Sequence, residues 1–157
     1  MSFELNLRLP AMTASEVISQ IEAAWHDVPY PGDDHIFTPD SYDDEDIVNY
    51  FGGTTWRGHS AIDLRAHSSA FTFFTPEALH YWFPAFLIAE IQDPIAADVI
   101  GDYIPWSLTD GRPSMRWSLF SPAQRQAVLA YLRFQVEHYG DSAGAEHEAL
   151  RVLQQET

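Results

Sequence analysis

The hydrophobic positions along the chain recur mainly at helical spacing, and this pattern predicts an all-α protein. Thr13 and Glu16 have the spacing of a capping box, which marks the start of a helix. The apolar residues behind this cap fall on one helical face: Val17, Ile21, Ala24, Trp25 and Val28. We therefore predict a first helix that ends by Pro29, since proline interrupts helical hydrogen bonding.

The most apolar stretch of the chain predicts the centre of the fold. Thr75 is a capping residue, and Pro76 follows at the first helical position. From residue 78 to residue 91 the sequence is apolar on every helical face except at His80 and Glu90. Such a helix is typically buried among others. We expect it to cover about residues 76–92 and to be kinked or broken at Pro84.

The remaining elements are predicted from shorter signals. Residues 60–67 and 94–104 are predicted as short helices, the second ended by Pro105, and residues 71–74 as a short strand or a buried turn. Ser121 and Pro122 begin a long helix, and a polar helix over about 142–155 ends the chain. The prediction is a single helical domain over residues 1–157, a bundle around the central apolar helix.

Composition and charge narrow the classes of function. The 157 residues carry 23 acids, eight arginines and no lysine, so the formal net charge is −15. Nucleic acids and anionic membranes favour positive charge, and we therefore expect neither as a partner. The chain has no cysteine and no secretory signal pattern, which suits a cytoplasmic protein.

The acids are concentrated in one part of the chain, which we call the acidic segment, residues 30–46. It contains seven acids and no Arg or Lys, together with interleaved aromatic residues. Asp43 or Asp44 can also cap a short helix that runs to about Tyr50. An acidic surface can steer a basic protein towards it. Two alternatives stay open for this segment: a solvated surface, and a calcium loop counted from Asp34 to Glu45, against which Ile36 and Pro39 stand at positions that should carry a ligand and the turn glycine. The residues predicted to bind a partner are Tyr30, Asp33, Asp34, Phe37, Asp40, Tyr42, Asp43, Asp44, Glu45 and Asp46.

Three stretches of the sequence carry a resemblance to a known family. They are Phe51-Gly-Gly-Thr-Thr-Trp56, Phe73-Phe-Thr-Pro-Glu-Ala-Leu-His-Tyr-Trp-Phe-Pro-Ala-Phe-Leu87 and Phe120-Ser-Pro-Ala-Gln-Arg-Gln-Ala-Val128. Together they resemble a bacterial domain-of-unknown-function family of small soluble proteins. Some similar small acidic bacterial proteins are immunity proteins encoded beside toxins. The resemblance implies a small bacterial protein and brings no active-site residues with it.

The leading functional hypothesis is therefore a cytosolic immunity or antitoxin-like protein that binds and occludes a basic toxin domain. Two alternatives stay open. One is a homo-oligomeric structural subunit. The other is a small metal-dependent or acid–base enzyme that uses His59, Asp63 and His67, which would approach one another if their segment is helical. Because no zinc or nucleophile motif accompanies this trio, we expect no catalytic residues, no bound metal and no cofactor.

Overall fold

The computed structural model describes residues 11–39, 41–43, 45–109 and 115–156, and this part of the chain is built from helices and short connections. The α-helices in chain order are α1 (Ala14–Ala24), α2 (Ile47–Phe51), α3 (Ala61–Ala66), α4 (Ala70–Phe73), α5 (Pro76–Gln92), α6 (Pro94–Ala97), α7 (Ile100–Thr109), α8 (Pro122–Tyr139) and α9 (Gly144–Gln155). Short 3₁₀ helices cover Asp33–His35, Trp117–Leu119 and Gly140–Ala143. The described residues form no strand, so the all-α prediction is confirmed.

Helix α5 lies at the centre of the fold, as its apolar sequence predicts. From Ala78 to Ile91 every residue is buried or half-buried. Helices α1 and α3 pack against its length, and α6 and α7 contact it as well. Helix α8 packs against α1 on one side and against α9 on the other, and α9 returns to contact α7. The helices therefore surround one continuous hydrophobic core.

Helix α5 passes through Pro84 without a break. Proline has no N–H group, so the carbonyl oxygen of His80, four residues earlier, loses its helical partner. The indole Nε1 of Trp25 donates a hydrogen bond to this oxygen at 2.9 Å. Trp25 in turn accepts, at its own carbonyl oxygen, a hydrogen bond from the indole of Trp56 at 3.1 Å. A side chain from outside the helix thus satisfies the carbonyl group that Pro84 leaves free.

This arrangement predicts an energetic coupling between Trp25 and Pro84. Trp25→Phe should destabilise the protein partly because it leaves the part-buried His80 oxygen without a donor, at a cost of about 1 kcal/mol. In a Pro84→Ala background the restored N–H reaches the same oxygen, so Trp25→Phe should cost about 1 kcal/mol less. Urea unfolding of both single variants and the double variant measures the coupling. Strictly additive effects would contradict the assignment.

Two local predictions differ from the structure. The single helix predicted over residues 94–104 is divided into α6 and α7, and α7 continues past Pro105 to Thr109, because Ile104, Pro105 and Leu108 are all buried and their packing offsets one lost backbone bond. Residues 71–74 were predicted as a strand or turn, but α4 occupies most of them. Only Phe74 shows β-type pairing, in an isolated antiparallel bridge with Phe37.

Candidate functional site

The acidic segment connects α1 to α2 and is fixed against the start of α5. The backbone N–H of Thr75 donates to the carbonyl oxygen of Ile36 at 3.0 Å, and that of Thr38 donates to Phe73 at 2.8 Å. Ile36 itself is fully buried. The segment is therefore held in place near its middle, while its polar residues are distributed over two sides.

Some of the residues predicted to bind a partner point inward and support the fold. Asp43 accepts hydrogen bonds from the backbone N–H groups of Ile47 at 2.6 Å and Val48 at 2.9 Å, which caps α2. Glu45 accepts one from the backbone of Ser69 at 3.0 Å, just before α4. All three predicted residues Phe37, Asp43 and Glu45 are half-buried.

The two capping bonds predict a cost for removing Asp43. Asp43→Ala should lower the free energy of unfolding by about 1–2 kcal/mol, the usual value of an N-terminal cap. Asp46→Asn is the matched control, because Asp46 is exposed, makes no capping hydrogen bond and adopts a left-handed conformation that asparagine tolerates. Urea unfolding should separate the two variants. Equal stabilities would contradict the capping role.

Tyr30 links the acidic segment to the core. Its hydroxyl donates to Asp33 and accepts a hydrogen bond from the backbone of Gly53 at 2.8 Å. The ring lies edge-on to Tyr81 and Trp82, with centroids 5.7 and 5.8 Å away. Burial and the hydrogen bond to Asp33 raise the pKa of Tyr30, so it stays a neutral phenol. Tyr30 therefore combines a structural role with a partly exposed surface.

The outward side of the acidic segment presents exposed residues, most of which have no side-chain partner among the described residues. Asp34 and Asp46 are exposed, and their side chains form no hydrogen bond or ion pair within the described part of the chain. Tyr42 is 82% exposed. Asp33 is also exposed, although Tyr30 bonds to it. Of the predicted residues, Asp40 and Asp44 lie outside the described residues.

An apolar pocket of about 250 Å³ adjoins this surface, and sequence reasoning did not predict it. Its lining comes from the connection after α1, from the start of α5 and from Leu119, which is exposed. Tyr30 belongs to both the pocket and the acidic segment. The described residues of the lining are Val28, Pro29, Tyr30, Pro31, Glu77, His80 and Leu119. An apolar depression beside exposed acids suits a side chain that is both apolar and basic.

His59, Asp63 and His67 lie close together in the structure, and both histidines contact Tyr50. The Tyr50 hydroxyl and His59 Nδ1 are 2.7 Å apart, and His59 Nε2 lies 2.8 Å from the carbonyl oxygen of Thr55. Since a carbonyl only accepts, Nε2 carries the hydrogen and Nδ1 accepts from the tyrosine. Burial lowers the pKa of His59. His59 is therefore a neutral side chain with both ring nitrogens engaged.

His67 stacks on the Tyr50 ring with centroids 4.1 Å apart. Its Nδ1 bonds the main-chain oxygen of Asp63 at 2.7 Å and not the carboxylate. Within the described ranges, no three His or acidic side chains are arranged to hold a metal ion. The trio thus lacks the carboxylate–imidazole contact that orients a general base.

Comparison with known proteins gives a family and no function. No helix in the described parts of the chain has the length and apolar character needed to cross a membrane. Curated proteins and solved structures yield no match to the sequence. A family model described as a family of unknown function, DUF6714, matches residues 13–155. This match covers nearly the whole chain and confirms the resemblance to a domain-of-unknown-function family, so the protein belongs to the DUF6714 family.

Proposed function

We propose that this protein is a cytosolic immunity-type inhibitor that binds a basic protein partner, a toxin domain, through the outward side of the acidic segment and the adjoining apolar pocket. The observation that carries the proposal is that some acids of the segment bond to the backbone of the fold and others are exposed. Asp43 and Glu45 are used for capping, whereas Asp34 and Asp46 are exposed and unpaired within the described chain. Charges that pair with none of the described residues are available to a partner.

The expected mechanism is steering followed by occlusion. A net charge of −15 destabilises the compact state through self-repulsion, and it attracts a positively charged partner over long range. The toxin would be an enzyme that acts on nucleic acid. At close range the exposed carboxylates would pair with the toxin's Arg or Lys side chains, which otherwise contact the phosphates of its substrate. The toxin's substrate site would then be covered without any chemical step by the inhibitor.

The apolar pocket supports a binding surface over a purely solvated one. Charged residues are depleted at the centre of protein interfaces, where aromatic and apolar groups supply most of the binding energy. Tyr30 and Leu119 offer such a centre, and Asp33 and Asp34 lie beside it in sequence as a charged rim. An apolar centre with a polar rim is typical of interfaces between two proteins.

The proposal is tested with the protein encoded by the adjacent gene as the partner. Asp34→Lys combined with Asp46→Asn makes the net charge of the acidic surface more positive by three units. We expect the complex to weaken by about tenfold or more, because the loss affects both steering and direct pairing. Calorimetric titration of wild type and variant measures the change in Kd.

The matched control makes the same change of charge elsewhere. Glu137→Lys with Asp141→Asn alters two exposed acids at the end of α8, away from the acidic segment. This control should bind within about twofold of wild type, because screening confines exposed charges to about 8 Å. Equal weakening by both double variants would show a nonspecific charge effect and contradict the proposed surface.

A further inference from the structure

A second pocket, of about 240 Å³, lies at the opposite end of α5 from the acidic segment, and its walls carry negative charge. Helix α5 is 17 residues long, so about 25 Å separates its two ends. Glu90 near the end of α5, Asp102 on α7 and Glu146 on α9 all line this pocket. Asp98 lines it too, but its carboxylate pairs with Arg65 at 3.7 Å. Among the described residues, no basic side chain lines the pocket.

Buried oxygen atoms without hydrogen-bond donors give an independent indication of a ligand. Glu90 is only 7% exposed and Gln135 only 3% exposed, and both line the pocket. Their Oε1 atoms find no donor among the described residues. Leaving a buried acceptor unsatisfied is costly, so native structures rarely do it without a reason. Both atoms are shielded from the pocket surface, so a group with N–H donors in the pocket would satisfy them only after a small shift of the two side chains towards it.

Gly101 leaves the space in which the Glu90 carboxylate lies. An added Cβ at residue 101 would be 3.0 Å from each carboxylate oxygen of Glu90. Gly101 sits in the first turn of α7, where alanine would otherwise favour the helix. The glycine thus permits a buried carboxylate at the pocket wall.

The lining also restricts the class of ligand. Carboxylates disfavour an anion, and a cation is the ligand that stabilises the ionised form of these buried groups. No three acidic or His side chains of the described residues converge on a point where a metal ion could sit. A larger cation with several spread donors can reach carboxylates that do not converge. The planar guanidinium group, with donors on several sides, meets this requirement.

We propose that the pocket between α5, α7, α8 and α9 is a binding site for a guanidinium-type organic cation, held by Glu90, Glu146 and the Gln135 amide oxygen. This proposal is independent of the partner surface at the acidic segment. The same chemistry could come from a free small molecule or from an arginine side chain in a peptide. The two sources are distinguished by the choice of probe.

Binding should also release a proton near neutral pH. Burial, with the facing Glu146 and Asp102 carboxylates, raises the pKa of Glu90 to about 7. Two further groups near it are neutral at this pH: Gln135, and Tyr131, whose pKa burial raises well above its ordinary value. Asp98, which also lines the pocket, is paired with Arg65. A bound cation favours the ionised carboxylate, so part of the Glu90 population gives up its proton.

The experiment uses methylguanidinium as the probe and tetramethylammonium, which has the same charge but no N–H donor, as its match. Wild type should bind methylguanidinium in calorimetry and release protons in weakly buffered solution at pH 7. Glu90→Gln should weaken binding by about tenfold or more and abolish the proton release. Gly101→Ala should weaken it as well, because its Cβ displaces the carboxylate without changing any charge.

The control variant is Glu137→Gln, an exposed acid on α8 that does not line the pocket, and it should bind like wild type. A blocked Gly-Arg-Gly tripeptide tests the second source. Binding of both probes assigns the pocket to arginine side chains, and binding of methylguanidinium alone assigns it to small molecules. The proposal would be overturned if methylguanidinium and tetramethylammonium bound with equal affinity. Undiminished methylguanidinium binding in Glu90→Gln and Gly101→Ala would also overturn it.

Discussion

Phe86→Ala is expected to destabilise the protein by about 3–5 kcal/mol, the usual cost of truncating a fully buried phenylalanine. Phe86 lies on the central helix α5 and has no exposed surface. Its ring packs against Phe71 with centroids 4.6 Å apart and against Phe51 at 6.3 Å. Truncation therefore leaves a cavity where three helices meet, and the surrounding aromatic rings are too rigid to fill it.

Urea unfolding followed by tryptophan fluorescence measures this loss. Ile95→Ala is the matched control, since Ile95 is 89% exposed and its truncation should change stability by less than about 0.5 kcal/mol. A loss below about 1 kcal/mol for Phe86→Ala would contradict the placement of α5 at the centre of the core.

Glu90→Gln is expected to stabilise the protein, and the gain should depend on pH. Burial and the neighbouring acids raise the pKa of Glu90 from its ordinary value of 4.5 to about 7. The folded state therefore binds the proton more tightly than the unfolded state, and this group makes stability fall as pH rises from about 4.5 to 7. Above that range the buried charge costs roughly 2–4 kcal/mol, which the glutamine variant avoids.

The measurement compares the unfolding free energies of wild type and Glu90→Gln across this range in phosphate buffer, which contains no amine. The difference should be smallest below pH 4.5 and should reach its full size above about pH 7. Glu137→Gln should show no comparable trend, because Glu137 is exposed. A constant difference between wild type and Glu90→Gln at all pH values would refute the buried, titrating carboxylate.

The sequence was sufficient to predict those parts of the fold that depend on local signals. The capping box at Thr13 and the Ser121–Pro122 signal mark the starts of α1 and α8 in the structure. The effect of proline was not predictable in the same way. Pro84 does not break α5, because the Trp25 side chain supplies the missing donor to the His80 oxygen. Trp25 and His80 are 55 positions apart in the sequence. Such a long-range contact leaves no local pattern.

The candidate site was only partly predictable for the same reason. The clustering of acids in the acidic segment is visible in the sequence. The structural role of Glu45 is not, because it depends on a hydrogen bond from the backbone of Ser69, 24 positions later in the chain. Glu90 was visible only as a polar exception in an apolar helix. Gly101, Gln135 and Glu146, which complete its pocket, come from three later elements.

The most direct test of the account is the salt dependence of association between this protein and the product of the adjacent gene. Stopped-flow association rates for wild type should fall steeply as ionic strength rises from about 0.01 to 0.15 M, because the Debye length shrinks from about 30 to 8 Å. Asp34→Lys with Asp46→Asn should associate more slowly than wild type at every salt concentration and show a shallower slope. Glu137→Lys with Asp141→Asn should lose less of the rate at low salt and should keep nearly the wild-type rate at about 0.15 M, where screening confines its charges. Identical rates and slopes for wild type and the acidic-segment variant would contradict the claim that this surface receives a basic partner.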